Sequence, residues 1–137
     1  MRVLGVDYGD ARTGIAISDL LCSIVGTTRV IHSRNQQKTV DEIVAIIREN
    51  DVGEIVVGLP KNMDGTEGAR AELCREFAKV LEQASGLPVA LWDERRTTVE
   101  AHNILSQHNY HGKKRKNTVD AVAASLILEG YLAFRSH

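Results

Sequence analysis

Four carboxylates in this chain occupy places where an acid needs a reason. Asp7 interrupts the otherwise apolar segment Val3 to Tyr8, Asp93 and Glu94 close the apolar run Val89-Ala90-Leu91-Trp92, and Asp120 stands beside Ala121, Ala123 and Ala124. Burying an unpaired ion is expensive, so an acid inside an apolar strand is either partnered or put to use. Carboxylates packed together repel one another, which makes a poor structural cluster and a sound cation site. Mg²⁺ takes oxygen ligands and keeps several waters, so a few Asp or Glu residues suffice to hold it. Carboxylates that hold two divalent ions about 4 Å apart can activate water at one and stabilise a leaving oxygen at the other, the arrangement that cuts a phosphodiester. Plainer roles compete: Asp7 as an acceptor for turn backbone, and Asp120 as an acid set against a helix dipole.

Such a site needs elements that bring these residues to one place. Val3 to Tyr8 and Thr13 to Asp19 flank a short loop with Gly9 and Asp10, which reads as an N-terminal hairpin, and Val25 to Ile31 adds a weaker third strand. The period then changes. Thr39-Val40-Asp41-Glu42 fits a capping box, and Val40, Ile43, Val44 and Ile47 recur at helical spacing, predicting a helix from about Lys38 to Asn50. Ile55 to Leu59, ended by Pro60, is a continuous apolar run of the kind covered on both faces in a parallel sheet. After a turn-rich loop, Ala69, Leu73, Phe77, Val80, Leu81 and Ala84 mark one face of a long helix that stops near Ser85-Gly86.

Val89 to Trp92 is a further buried strand, and Thr97-Thr98-Val99-Glu100 is a second capping box opening a helix to about Gln107. His108 to Asn117 reads as a polar, flexible loop, and Thr118 to Phe134 as a helix apolar nearly all round. A meander followed by βαβ units gives an α/β fold: a five-stranded mixed sheet, strand 2 antiparallel, with helices on both faces. Ligands in such sheets sit at the carboxyl ends of the parallel strands, which is where Asp7, Pro60 and Asp93-Glu94 converge. The helix from Thr97 descends about 15 Å from that edge. An extended Asn109 to Asn117 spans up to about 26 Å, enough to return Asp120 to Asp7.

Composition sets the outer bounds. The 137 residues, 43% hydrophobic and 26% charged, fit one domain over 1–137 with a core that needs no disulfides. No apolar run approaches the length of a spanning helix, and no secretory signal precedes Val3, so no membrane association is expected. Cys22 and Cys74 have no metal-type spacing and read as reduced thiols of a cytoplasmic protein. A net charge of −1 leaves the question of an anionic partner to local patches.

Four ordered motifs together resemble the YqgF/RuvX family: Gly5-Val6-Asp7-Tyr8-Gly9 with Arg12-Thr13-Gly14-Ile15-Ala16; Val57-Gly58-Leu59-Pro60 with Met63-Asp64-Gly65-Thr66; Asp93-Glu94-Arg95-Arg96-Thr97-Thr98; and Asp120-Ala121-Val122-Ala123-Ala124. The resemblance implies an RNase H-like fold related to RuvC-type resolvases. It also implies a nuclease, assigned in the family to 5′-end maturation of pre-16S ribosomal RNA and, in parallel, to Holliday junction resolution. RuvC-like nucleases carry a carboxylate at the end of the fourth strand, where this chain has Gly58-Leu59-Pro60. The acid from the fifth strand would have to substitute.

The candidate catalytic and metal-ligating set is therefore Asp7, Glu94 and Asp120, holding Mg²⁺ or Mn²⁺. Asp93 is the rival to Glu94, because adjacent strand residues face opposite ways; the longer Glu94, nearer the strand end, is preferred. Lys113, Lys114, Arg115 and Lys116 lie just before Asp120 and are candidates for phosphate contact rather than merely a solvated run. Arg12, Arg95 and Arg96 are further candidates for orienting nucleic acid, although Arg95 has Asp93 as an alternative partner. His108 and His111 lack the further ligands of a zinc site. Trp92 and Met63 read as packing residues. The expected partner is nucleic acid, precursor rRNA or branched DNA, acted on by a monomer or a homodimer.

Two readings from other classes compete. Nucleotide-binding ATPases and sugar kinases of the actin-like fold also use an Asp and glycines in an N-terminal hairpin, but need a second domain for which 137 residues leave no room. A non-catalytic RNA-binding assembly factor would be poorly served by clustered negative charge.

Overall fold

A computed structural model describes residues 1–96 and 112–135, with the side chains of 96 and 112–118 outside that description. The strands are β1 (Arg2–Asp7), β2 (Arg12–Ser18), β3 (Val25–His32), β4 (Val52–Leu59) and β5 (Val89–Asp93). The helices are α1 (Gln36–Glu49), α2 (Ala69–Ser85) and α3 (Gly112–Arg135), and a 3₁₀ turn over Glu94–Arg96 follows β5. The five strands form one sheet in the order β3-β2-β1-β4-β5. β1 pairs antiparallel with β2 and parallel with β4, β4 pairs parallel with β5, and β2 pairs antiparallel with β3. This is the expected mixed sheet.

Alternation along the strands sorts the core into two layers. Leu4, Val6, Ile15, Ile17, Ile55 and Val57 pack with Ile43 and Ile47 of α1 and Phe77 and Leu81 of α2. Val3, Ala16 and Val56 face the other way and pack with Ala124, Ile127, Leu128 and Leu132 of α3. Ala90 and Trp92 join the α3 layer, whereas Leu91 joins the first. Asp7, two residues beyond Gly5 in β1, thus belongs to the α3 face.

Several boundaries differ from the sequence reading. α1 starts at Gln36 because Asn35 is the better cap: its side chain accepts from the Lys38 N–H at 3.0 Å. Thr39 lies inside the first turns, buried, and its hydroxyl donates to the Asn35 carbonyl at 3.2 Å. The apolar face of α2 runs through Ala71, Cys74, Phe77, Ala78 and Leu81, leaving Leu73 exposed. β5 is an edge strand, so its residues are half-buried rather than covered on both faces. Gly86 ends α2 with a φ of 71°, a left-handed cap that glycine adopts without a Cβ clash.

The largest change concerns the basic run. Gly112 to Asn117 is helical, so Lys113, Lys114, Arg115 and Lys116 are positions on α3 and not on a loop. Lys and Arg are good helix formers, and the helix extends through them. Asp120 consequently sits in the third turn of a 24-residue helix rather than in a first turn. The helix expected from Thr97 to Gln107, with His108 and His111, lies outside the described residues. Among the described residues no helix is long and apolar enough to cross a membrane. Both cysteines are free, and burial pushes the Cys74 thiol up to about 11.

Candidate active site

The carboxyl ends of β1 and β5 place Asp7 and Glu94 side by side, in hydrogen-bond contact with each other. Parity along β5 settles which acid reaches Asp7. Trp92 faces α3, so Asp93 faces away, and Glu94, the first residue of the 3₁₀ turn, returns to the α3 side. Asp93 is occupied elsewhere. Its carboxylate accepts from the Arg95 backbone N–H at 3.0 Å and from Nε and Nη2 of the Arg95 guanidinium at 3.0 and 2.6 Å, which hold it below the usual carboxylate range.

Glu94 reaches Asp7 across β4 because position 58 is glycine. A Cβ built on Gly58 would lie 2.6 Å from Ile127 Cδ1 and 2.8 Å from Glu94 Oε1. β4 thus supplies space where an acid was missing, and β5 supplies the acid.

The third acid arrives by close helix packing. A Cβ on Gly14 of β2 would stand 2.1 Å from the Asp120 carbonyl oxygen, so only a residue without a side chain lets α3 approach here. Asp120 comes near enough for its charge to act on Asp7. Its Oδ2 accepts a hydrogen bond from Arg12 Nε at 2.9 Å. Arg12, a candidate for nucleic-acid contact, is thus the partner of Asp120. Among the described residues, no three acidic, histidine or cysteine side chains are grouped so as to enclose one ion.

The electrostatics of the set follow from burial and crowding. Asp7 is held well above the usual carboxylate range, first by burial, then by the charge and hydrogen bond of Glu94 and by the charge of Asp120. Burial also raises Glu94, against the opposing effects of its hydrogen bond to Asp7 and the charge of Arg70. The two acids interact strongly enough to titrate as one unit, raised above the usual carboxylate range. Asp120 is raised by burial and pulled back by Arg12 and by the charge of His32. The donors are all carboxylate oxygens in a partly dry setting, which suits a hard divalent cation.

Arg70 is a cation that the sequence reading missed. It lies in the first turn of α2, donates Nη2 to the Tyr8 carbonyl and Nη1 to Asp10 Oδ1 at 3.1 Å, and its charge lowers both Asp7 and Glu94. Its guanidinium carbon lies 5.8 Å from the centroid of the Tyr8 ring, which stacks on Phe77 at 3.9 Å. A legible signal existed: a cation in a first helical turn opposes the helix dipole and asks for another partner.

The remaining candidates divide. Arg95 is bound to Asp93, and its Nη1 also donates to the Met63 carbonyl at 3.4 Å. Arg96 closes the 3₁₀ turn, two positions after Glu94. Met63 is 90% exposed at the tip of the β4–α2 loop, so it is no packing residue; Trp92 is one, set edge-on against Tyr131 and Phe134. Met63 is exposed because the loop folds on itself, through Asn62 N–H to the Thr66 carbonyl and Gly65 N–H to the Asn62 carbonyl, both 2.9 Å.

Comparison with known proteins places this geometry. The family model RuvX, described as Holliday junction resolvase, matches residues 1–134. A protein of Halothermothrix orenii named "Putative pre-16S rRNA nuclease" is 45% identical over 136 residues, covering 99% of this chain and 97% of that protein. One of the same name from Lachnospira eligens is 47% identical over 135 residues, 96% of each. Among solved structures, Thermus thermophilus RuvC in complex with a Holliday junction substrate superposes with a TM-score of 0.63 at 13% identity, over 99% of this chain and 96% of that one. The fowlpox virus Holliday junction resolvase gives a TM-score of 0.61 at 15% identity, over 98% and 99%. At such identities these two likenesses show the fold alone, and that fold is RNase H-like. The match across nearly the whole chain and the close full-length relatives leave one assignment: the chain belongs to the RuvX family of nucleases.

Proposed function

We propose that this protein hydrolyses phosphodiester bonds of structured nucleic acid with divalent metal held by Asp7, Glu94 and Asp120, and that its substrate is the 5′ end of precursor 16S ribosomal RNA. The observation that supports it best is the contact between Asp7 and Glu94, two half-buried acids whose charges oppose each other. A bound cation relieves that repulsion, and oxygen-only donors fit Mg²⁺ or Mn²⁺. When bound, the ions supply an activated water and stabilisation of the leaving oxygen. Arg70 holds the turn after Asp7 through the Tyr8 carbonyl and offsets the negative charge of the pair. Arg12, Arg95, Arg96 and the run Lys113 to Lys116 surround the acids in sequence or in space and are assigned to phosphate contact. The free thiols suit the reducing cytoplasm.

The choice of rRNA follows the names of relatives 45% and 47% identical to this chain. A second reading, Holliday junction resolution, is favoured by the description of the family model. Resolution needs two sites related by a two-fold axis, whereas trimming an RNA end needs one, so the reading also bears on whether the protein is a monomer or a homodimer. The deciding assay offers purified protein both substrates, with Mg²⁺ and then Mn²⁺, beside Asp7→Asn and Asp120→Asn. Cleavage of the RNA precursor by the wild type alone is expected. Equal turnover by wild type and variants would overturn the assignment of the acids, and cleavage of junction DNA alone would overturn the choice of substrate.

A further inference from the structure

Two of the three acids touch each other, and the third is tied to a cation. Asp120 Oδ2 accepts from Arg12 Nε at 2.9 Å, with side-chain exposures of 18% and 34%. Arg12 opens β2, where it pairs with His32 of β3, and it stands on the face that carries Gly14 and Asp120. Charge-assisted hydrogen bonds of this kind are among the stronger polar contacts, and partial burial spares the pair much of the solvent screening. A divalent ion bound to Asp120 competes with Arg12 for the same carboxylate. A phosphate group competes with Asp120 for the same guanidinium, which suits phosphate as well as carboxylate.

We propose that Arg12 gates the acid site: it withholds Asp120 from the metal until a backbone phosphate of the nucleic acid takes Arg12 away. The inference rests on the assignment of Asp7, Glu94 and Asp120 as metal ligands. Nucleic acid on Arg12 releases Asp120 to the metal, and metal on Asp120 releases Arg12 to the nucleic acid. By linkage each ligand then tightens the other by the same factor. The gate confines assembly of the full metal set to the moment when substrate is present.

The test is a double-mutant cycle on Arg12 and Asp120 with two binding readouts and no turnover. Mn²⁺ is titrated calorimetrically into wild type, Arg12→Gln, Asp120→Asn and the double variant, without nucleic acid. Arg12→Gln is expected to bind Mn²⁺ at least about fivefold more tightly than wild type. The same substitution in the Asp120→Asn background is expected to change affinity far less. In EDTA, binding of a short RNA hairpin is followed by fluorescence anisotropy. Asp120→Asn is expected to tighten RNA severalfold when Arg12 is present, and to lose that gain in the Arg12→Gln background.

Unchanged or weaker Mn²⁺ binding by Arg12→Gln overturns the gate. So does an equal gain in both backgrounds, since that marks a general effect of net charge. Arg12→Met, a second variant confirmed as folded by thermal unfolding, is expected to match Arg12→Gln, and an opposite result overturns the proposal. Failure of the underlying site looks different. If Asp7→Asn and Asp120→Asn both bind Mn²⁺ as wild type does, the acids are not the metal site and the gate falls with them. If both weaken Mn²⁺ binding while Arg12→Gln brings no gain, only the gate falls.

Discussion

The carboxylate of Glu94 occupies the space that a side chain at Gly58 would take: a Cβ there would lie 2.8 Å from Glu94 Oε1 and 2.9 Å from its carboxyl carbon. One backbone position on β4 thereby controls where an acid from β5 can go. Gly58→Ala is expected to move Glu94 off Asp7 and to reduce cleavage by about a hundredfold or more, since displacements of about 1 Å cost that much. The overpacking also costs about 1–3 kcal/mol of stability, read by denaturant unfolding. Adding Ile127→Val, which relieves the 2.6 Å contact on the other side, is expected to recover stability without recovering cleavage. A double variant that cleaves like wild type would show that Gly58 serves packing alone.

Asp7→Asn is expected to reduce cleavage by more than about a hundredfold, the upper end of what even an indirect partner of a metal ligand costs. It is also expected to raise the Tm of the metal-free protein by about 3 °C or more, because it removes a source of repulsion. Asp7 carries a raised pKa from burial and from Glu94, so its ionisation opposes folding. Differential scanning calorimetry in EDTA checks the gain, and a fall in Tm would count against it.

The same crowding gives stability a definite pH slope. Asp7, Glu94 and Asp120 all lie above the ordinary carboxylate range, so between the unfolded and folded pKa values the native state binds more protons than the unfolded chain. The contribution of these three acids to stability is fully present below about pH 4 and is lost as pH rises through the raised values. Denaturant unfolding in EDTA should show this decline. Saturating Mg²⁺ should flatten it, because a bound cation favours the ionised acids.

Arg70 lowers the pKa of both Asp7 and Glu94, so replacing it should raise them. Arg70→Met is expected to shift the ascending limb of the cleavage–pH profile to higher pH, with severalfold loss at neutral pH and recovery in alkali. An unshifted profile with uniformly lower activity would reduce Arg70 to its contacts with Tyr8 and Asp10.

The basic run on α3 has a geometric limit that a loop would not have. Consecutive helical residues are about 100° apart, so Lys113, Lys114, Arg115 and Lys116 spread around a full turn, and Lys113 and Lys116 share a side. Replacing all four with Ala is expected to reduce the slope of log affinity against log salt by about two rather than about four. Binding measured from low to high salt decides between these values.

How much of this was legible in the sequence depends on the range of the interaction that decides it. The strand and helix types follow from local features: helical spacing in α1 and α2, and short apolar runs bounded by turn formers in β4 and β5. Alternation along Trp92, Asp93 and Glu94 even assigns the two acids to opposite faces, once the face of Trp92 is known. Caps were less legible, because Asn35 and Thr39 both carry side chains able to cap, and four residues of helix turn on which one does. Periodicity and motif spacing were enough for the order of the described elements, the sheet edge at which the acids gather, and the four motifs. The pairings came from packing between distant elements: Arg12 with Asp120 across 108 positions, and Arg70 with Tyr8 and Asp10 across 62 and 60. The first of these contacts depends on how closely α3 approaches the sheet. That approach is set by absent side chains at Gly14 and Gly58, whose effect appears only when another element lies on top of them.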